Sequence, residues 1–359
     1  MSVKAFVIDD TVTYRKIVSE ILSSIPEIDS VGTAPTGSIG LKKISQCNPD
    51  LIFLDAHMPE MDGVETLKKI LAQSPSVNVV MISSISSRNT KDTIEALQSG
   101  AIDFISKPVG DDPVQNKQLL KNDILRVIRL VELRKNTKSI PHTKSIDKQA
   151  NPVLQPPKLT ISLTKPLFPF TICVIGVSTG GPEALNKLIP LLPANFPIPI
   201  LLVQHMPPLF TNSLAESLGR KSKLRVIEAP ENEVIKPGTV YIAPGGKHMV
   251  LRSKDDVNII GHNDLPPENS CRPSVDVLFR SVASVYENQG ILAIILTGMG
   301  NDGCNGVRTL KRGKCYCITQ SESSCVVYGM PRAVDDAGLS DLSLSIEDIA
   351  TEMIHLTRI

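Results

Sequence analysis

Three residues that could act together on an acyl group follow separate apolar runs in the second half of the chain. Ser178 follows the run 172–177, His205 comes two residues after the run 198–203, and Asp302 lies in the glycine-rich turn after 291–296. If each run is a strand of one parallel sheet, the three side chains meet on one edge. A serine hydroxyl is a weak nucleophile at neutral pH. A histidine that takes its proton, with a carboxylate that fixes the histidine tautomer, supplies what acyl transfer needs, and nearby backbone N–H groups can hold the oxyanion. Gly176-Val177-Ser178-Thr179-Gly180 also satisfies G-x-S-x-G, whose glycines allow a sharp strand-to-helix turn. That pattern is common, and a glycine-rich turn opening a helix equally suits phosphate. The turn 176–181 is not a G-x-G-x-x-G, and the chain has no G-x-x-x-x-G-K-[ST], which disfavours a nucleotide site there. The order Ser, His, Asp differs from the Ser, Asp, His order of α/β-hydrolases. Among the other histidines, His248 in a turn could line the same cleft, and His262 lies near another loop. His142 and His355 read as surface or packing residues.

A second cluster lies in the first half. Asp9 and Asp10 close the run 3–8, Asp55 closes 51–54, Ser83 closes 77–82, and Lys107 follows 102–105. One such aspartate alone reads as a helix cap or a solvated turn. Five polar groups at the ends of four apolar runs do not. Crowded carboxylates repel, and a hard cation with few protein ligands, Mg²⁺, is the natural compensation. A hydroxyl, an ammonium and Mg²⁺ around one carboxylate would stabilise an acyl phosphate, because each neutralises or hydrogen-bonds phosphoryl oxygens.

These residues need elements to hold them, and the patterning supplies two sets. Residues 1–134 alternate short β-branched runs with stretches of helical spacing, five of each, which predicts a parallel sheet with helices on both faces. The alternation returns over 169–359, with strands expected at 172–177, 198–203, 239–243 and 291–296. Between them, 135–168 carries Pro141, Pro152, Pro156, Pro157 and Pro166 among Lys, Ser, Thr and Gln and reads as a partly extended linker. The expected fold class is α/β in both domains, with a flavodoxin-like N-terminal sheet and a doubly wound C-terminal one.

Composition narrows the partners. The 359 residues carry 38 basic and 37 acidic side chains, a formal charge of +1, so no electrostatic case exists for nucleic acid. No uninterrupted apolar run reaches the roughly 18 residues that span a bilayer, and the first residues lack a signal-peptide pattern, so a cytoplasmic protein without direct membrane insertion is expected. Seven cysteines without C-x-x-C pairs fit reduced, mostly buried thiols better than disulfides or a zinc site, including Cys315 and Cys317 on one face of a strand.

Residues 1 to about 125 resemble a two-component receiver domain, through Asp9-Asp10, Asp55-Ala56-His57-Met58-Pro59-Glu60-Met61-Asp62-Gly63, Ser83 and Lys107-Pro108. The resemblance implies phosphorylation at Asp55 by a histidine kinase. It also implies Mg²⁺ held by Asp9, Asp10, Asp55 and the His57 carbonyl, phosphoryl reading by Ser83 and Lys107, and Phe104 as the switch aromatic. The second half is similar to the catalytic domain of chemotaxis-specific protein-glutamate methylesterases of the CheB type. The similarity runs through Gly176-Val177-Ser178-Thr179-Gly180-Gly181-Pro182-Glu183-Ala184, Gln204-His205-Met206-Pro207-Pro208, Tyr241-Ile242-Ala243-Pro244-Gly245 and Arg272-Pro273-Ser274-Val275-Asp276. It continues through Leu296-Thr297-Gly298-Met299-Gly300-Asn301-Asp302-Gly303 and Ser324-Cys325-Val326-Val327-Tyr328-Gly329-Met330-Pro331. Val177 stands where the family usually has alanine.

The resemblance implies Ser178 as nucleophile, His205 as general base and then acid, Asp302 as orienting carboxylate, and Thr179 with the Met299 backbone in the oxyanion region. It further implies demethylation of glutamate methyl esters and deamidation of glutamines on chemoreceptors under phosphorylation control, with no cofactor in the catalytic domain. The competing reading is a receiver-linked signalling adaptor whose hydrolase-like domain binds a partner without catalysis.

Overall fold

Strands rich in Val, Ile and Leu alternate with amphipathic helices through the first 138 residues of the computed structural model, which describes residues 2–84, 87–138, 166, 168–255 and 257–357. In chain order these are β1 (Val3–Ile8), α1 (Val12–Ser23), β2 (Ile28–Ala34), α2 (Gly37–Cys47), β3 (Leu51–Asp55), α3 (Gly63–Gln73), β4 (Asn78–Ser83), α4 (Ser87–Gln98), β5 (Asp103–Ser106) and α5 (Pro113–Lys138). The strands pair in parallel in the order β2-β1-β3-β4-β5. Alternate residues of each strand face opposite sides. Phe6, Ile8, Ile52 and Leu54 meet Ile44, Leu67, Ile70 and Ile94 of α2–α4. On the other side Ala5, Val7, Leu51 and Phe53 meet Val18 and Ile21 of α1 and Leu120, Ile124 and Val127 of α5. This is the flavodoxin-like order, with its crossover reversal between β1 and β3.

The second sheet holds the other cluster. Its elements are β6 (Phe170–Val177), α6 (Gly181–Leu188), β7 (Ile200–Gln204), α7 (Phe210–Lys221), β8 (Arg225–Glu228), β9 (Thr239–Ile242), β10 (His248–Lys254), β11 (Val257–Asn263), α8 (Val275–Val285), β12 (Gly290–Ile295), α9 (Cys304–Leu310), β13 (Cys315–Gln320), α10 (Met330–Asp336), β14 (Leu342–Leu344) and α11 (Ile346–Thr357). Seven strands run parallel in the order β14-β13-β12-β6-β7-β9-β8. Helices α6, α7 and α11 cover one face, and α8 and α9 the other. The chain leaves β6 toward β7 and later returns to β12 on its opposite side, so the switch point lies at β6. Strands β10 and β11 form a separate antiparallel hairpin that periodicity did not reveal, since its tip is polar from Arg252 to Asp255. The expected linker 135–168 falls largely outside the described residues, and α5 continues to Lys138, past the expected boundary at 134.

The two halves pack through α4 and β5 against α7. Phe104 stacks on Phe210 with ring centroids 4.4 Å apart. Around that stack Thr90 Oγ1 meets Ser213 Oγ at 2.8 Å, and Gln98 Oε1 accepts from Ser217 Oγ at 2.9 Å and Lys221 Nζ at 2.7 Å. Lys91 pairs with Glu216 at 2.9 Å.

Candidate active site

Ser178 sits at the tip of a turn between β6 and α6 that only particular neighbours permit. Gly180 caps α6 with φ +78°, a conformation costly for a residue with a Cβ. A Cβ on Gly298 would lie 2.7 Å from the Ser178 Cβ, so the loop after β12 can press against the serine only with glycine there. Gln204, at the end of β7, donates from Nε2 to the carbonyls of Ser178 (2.9 Å) and His205 (3.3 Å) and so ties the two turns together. Thr297 Oγ1 donates to the Thr179 carbonyl at 2.9 Å and accepts from Val327 N at 2.9 Å.

His205 Nε2 lies 2.8 Å from Asp302 Oδ2. Asp302 is buried and accepts five further hydrogen bonds, from Asn269 Nδ2, Ser274 Oγ and the N–H groups of Val275, Asp276 and Gly303. Two of those N–H groups open α8, where unsatisfied donors and the helix dipole favour an anion. Burial pushes the Asp302 carboxyl up, but His205 and these donors outweigh it and hold its pKa down to about 2. Burial pulls His205 the other way, yet its bonds to Asp302 and Cys271 dominate and raise it to about 9. Asp276 anchors the same loop by accepting from Gly303 N and Gly306 N.

The expected trio is therefore brought to one place at the switch point, but only one of its two links is made. His205 Nδ1 faces Cys271 Sγ at 3.4 Å, and among the described residues neither ring nitrogen is hydrogen-bonded to Ser178. The N–H groups of Thr179 and Met299 donate to no acceptor among the described residues, as an oxyanion site requires. Ser178, His205, Cys271 and Met299 line a cleft of about 640 Å³, whose opposite wall is Phe104, Ser106 and Arg126 of the N-terminal half.

Gln204, Asn269, Cys271 and Ser274 had no assigned role from the sequence. His248 does not line the cleft. It is buried, accepts at Nδ1 from Ser274 N at 3.1 Å and has Nε2 3.1 Å from the Pro266 carbonyl, which props the loop holding Asp302. Cys315 and Cys317 are buried in β13, and burial pushes the Cys315 thiol up to about 12, as expected of a core residue.

The acidic cluster is assembled at the edge of the other sheet. Carboxylate oxygens of Asp9, Asp10 and Asp55 lie within 4.8 Å of one another. Lys107 Nζ bridges Asp9 Oδ2 at 2.9 Å and Asp55 Oδ2 at 2.8 Å and lies 4.5 Å from the centre of the Tyr14 ring. Burial raises Asp55 to about 6 against the pull of Lys107. Ser83 is buried beside it at the end of β4. The all-oxygen donor set fits a hard divalent cation. The His57 ring turns away toward Asp92, 3.7 Å from its carboxylate.

Known proteins share both halves. The pattern of the family described as CheB methylesterase matches residues 173–353, and that of the response regulator receiver domain matches residues 5–118, which brings with it an acceptor site of the kind that binds a divalent metal. The chain is 42% identical over 362 aligned residues to a protein-glutamate methylesterase/protein-glutamine glutaminase of Desulfotalea psychrophila, covering 100% of this chain and 99% of that one. A protein of the same name from Trichodesmium erythraeum is also 42% identical, with 98% of each chain covered. The crystal structure of the Thermotoga maritima CheB methylesterase catalytic domain superposes with a TM-score of 0.51 at 43% identity, covering 52% of this chain and 98% of that one. With both halves matched and relatives aligned end to end, the chain belongs to the receiver-linked protein-glutamate methylesterase/protein-glutamine glutaminase family.

Proposed function

We propose that this protein is a phosphorylation-controlled serine hydrolase that removes methyl groups from glutamate methyl esters of chemoreceptors and deamidates receptor glutamines. The observation that carries this reading is the His205–Asp302 pair at 2.8 Å beside Ser178 at the switch point of the second sheet. With Nε2–H held by Asp302, Nδ1 is the nitrogen left to take the Ser178 proton. Cys271 must yield that position when substrate enters. The Ser178 oxygen then attacks the ester carbonyl, and the oxyanion is received by the free N–H groups of Thr179 and Met299. His205 returns the proton to the leaving group, releasing methanol from an ester or ammonia from an amide. Water, deprotonated by the same ring, then cleaves the glutamyl-serine ester and leaves glutamate.

The receiver, residues 1–134, would be joined by 135–168 to the catalytic domain, 169–359. A chemotaxis histidine kinase would phosphorylate Asp55. Mg²⁺, held by Asp9, Asp10, Asp55 and the His57 carbonyl, would supply positive charge to the phosphoryl oxygens, and Ser83 and Lys107 would hydrogen-bond them. Lys107 leaves its carboxylate partners to do so, and Phe104 follows, which loosens its stack on Phe210 and opens the cleft. A tenfold gain in open molecules requires only about 1.4 kcal/mol. No helix among the described residues is long and apolar enough to cross a membrane, in keeping with a cytoplasmic enzyme that meets receptors at their cytoplasmic helices.

Methanol release from methylated receptor membranes tests the reading. Ser178→Ala is expected to lose it, and equal release from wild type and variant would remove Ser178 from the chemistry. Deleting residues 1–134 is expected to raise it, and an unchanged or lowered rate would overturn the occlusion.

A further inference from the structure

The pairing of His205 with Cys271 has a geometry that proton transfer does not need. We infer that His205 Nδ1 and Cys271 Sγ form a binding site for a thiophilic divalent cation of the zinc type, and that its occupancy switches off the general base. Tetrahedral zinc with a Zn–S bond of about 2.3 Å and a Zn–N bond of about 2.0 Å holds its sulfur and nitrogen about 3.5 Å apart. The two atoms lie 3.4 Å apart, close to that span.

The surroundings of His205 match what such a ligand requires. A metal-ligating histidine characteristically gives its other ring N–H to a carboxylate, which fixes the tautomer and raises the basicity of the ligating nitrogen. Nε2 has that partner in Asp302 at 2.8 Å. Asp302 itself lies close enough to be a third ligand. Its oxygens are already taken by the donors of Asn269, Ser274, Val275, Asp276 and Gly303, so it stays behind the histidine and does not reach the ion. Two protein ligands leave the remaining positions of a tetrahedron to water or to a substrate oxygen, on the side where the cleft opens.

Charge also permits the ion. Arg126 lies near enough to Cys271 to feel its charge, but its guanidinium is paired with Asp103 at 2.5 Å. The pairing also separates this site from the acidic one. Asp9, Asp10 and Asp55 offer only oxygen and suit a hard cation, whereas imidazole and thiolate prefer a soft one. Magnesium would therefore fill one site and leave the other free. The inhibition follows directly: Nδ1 cannot hold a metal and accept the Ser178 proton, and binding releases to solvent whatever protons Nδ1 and the Cys271 sulfur carry.

The site does not depend on the esterase reading; only the inhibition does, and the two are read separately. Full-length protein saturated with Mg²⁺ is titrated with Co²⁺ as a spectroscopic stand-in and, in parallel, with Zn²⁺ in the methanol assay. A thiolate-to-cobalt charge-transfer band is expected in wild type and absent in Cys271→Ser. Zinc at ten times its dissociation constant is expected to slow the wild-type reaction by about tenfold. Chelator should restore the rate, and Cys271→Ser should show little response relative to its own metal-free rate. No band, or an equal band in Cys271→Ser, overturns the site. A band together with an undiminished rate overturns its competition with the base. If no esterase activity is found at all, the enzyme reading fails while the cobalt spectrum still decides the site.

Discussion

The two sheet edges each bury an aspartate beside a cationic side chain, and they treat it in opposite ways. Asp302 receives six hydrogen bonds, two of them from backbone N–H groups at the start of α8, and its pKa is held near 2. Asp55 has Lys107 at 2.8 Å and a long contact from His57 N at 3.4 Å, and burial lifts it to about 6. A carboxylate that must stay charged while a histidine gains and loses a proton needs many fixed donors. One that must accept a phosphoryl group needs unspent lone pairs and partners that can move. The sheet edge is shared, and the donor count suits each aspartate to the role proposed for it.

The largest way to break this contrast is Asp302→Asn. The side chain keeps its shape but loses the charge that orients and stabilises His205, and kcat/KM for methanol release should fall by about 10⁴-fold. Stability should fall as well. A depressed carboxylate contributes stability above its unfolded pKa that is lost as pH falls through about 2, so at pH 7 the variant gives up on the order of 2 kcal/mol. Chemical denaturation at pH 7 checks this, and an unchanged midpoint would mean the donors contribute nothing.

Asp55→Asn should move stability in the other direction. A raised carboxylate is stabilising below its unfolded pKa, and that stability is lost as pH rises through about 6. In metal-free buffer at pH 7 the variant should be more stable than wild type by on the order of 2 kcal/mol, with the gain vanishing below about pH 4. The same variant should lose all stimulation by a phosphodonor. Destabilisation at pH 7 would sink the contrast.

The trio and the acidic cluster were legible in the sequence because both sit where apolar runs stop, and a parallel sheet lines those stops along one edge. What surrounds them was not. Asn269, Cys271 and Ser274 lie in an irregular stretch after the β10–β11 hairpin, where no period marks a face, and only three-dimensional closure brings them to His205 and Asp302. The residues that make the contact between the halves were hidden for a different reason. Thr90, Gln98, Ser213 and Ser217 are polar residues on helices, a type that does not mark a buried face, yet each is buried at the interface.

His205 sharpens the contrast at smaller scale. With its pKa raised to about 9, metal-free enzyme should gain activity with rising pH, about tenfold per unit at neutral pH, and level off near 9. Cys271 is one of the groups that raise it, so Cys271→Ala should shift the inflection downward while Asp302 keeps the ring oriented. An inflection that does not move would mean Cys271 is a bystander to the base.

The smallest expected effect tests the link between the two edges. Phe104 and Phe210 stack at 4.4 Å, and such pairs contribute about 0.5–1.5 kcal/mol beyond the area they bury. If that energy holds the cleft closed, Phe104→Ala should raise unphosphorylated activity by about two- to tenfold. Made in the Asp55→Asn background, the substitution cannot act through phosphorylation, so any rise reports packing alone. Phe104 is also the side chain expected to follow Lys107, and with Asp55 intact the same substitution should blunt the response to a phosphodonor. A basal rate that does not change in Asp55→Asn/Phe104→Ala would place the closing energy elsewhere, in the polar contacts of α4 with α7. Thr90→Ala and Gln98→Ala would then be the variants that open the cleft.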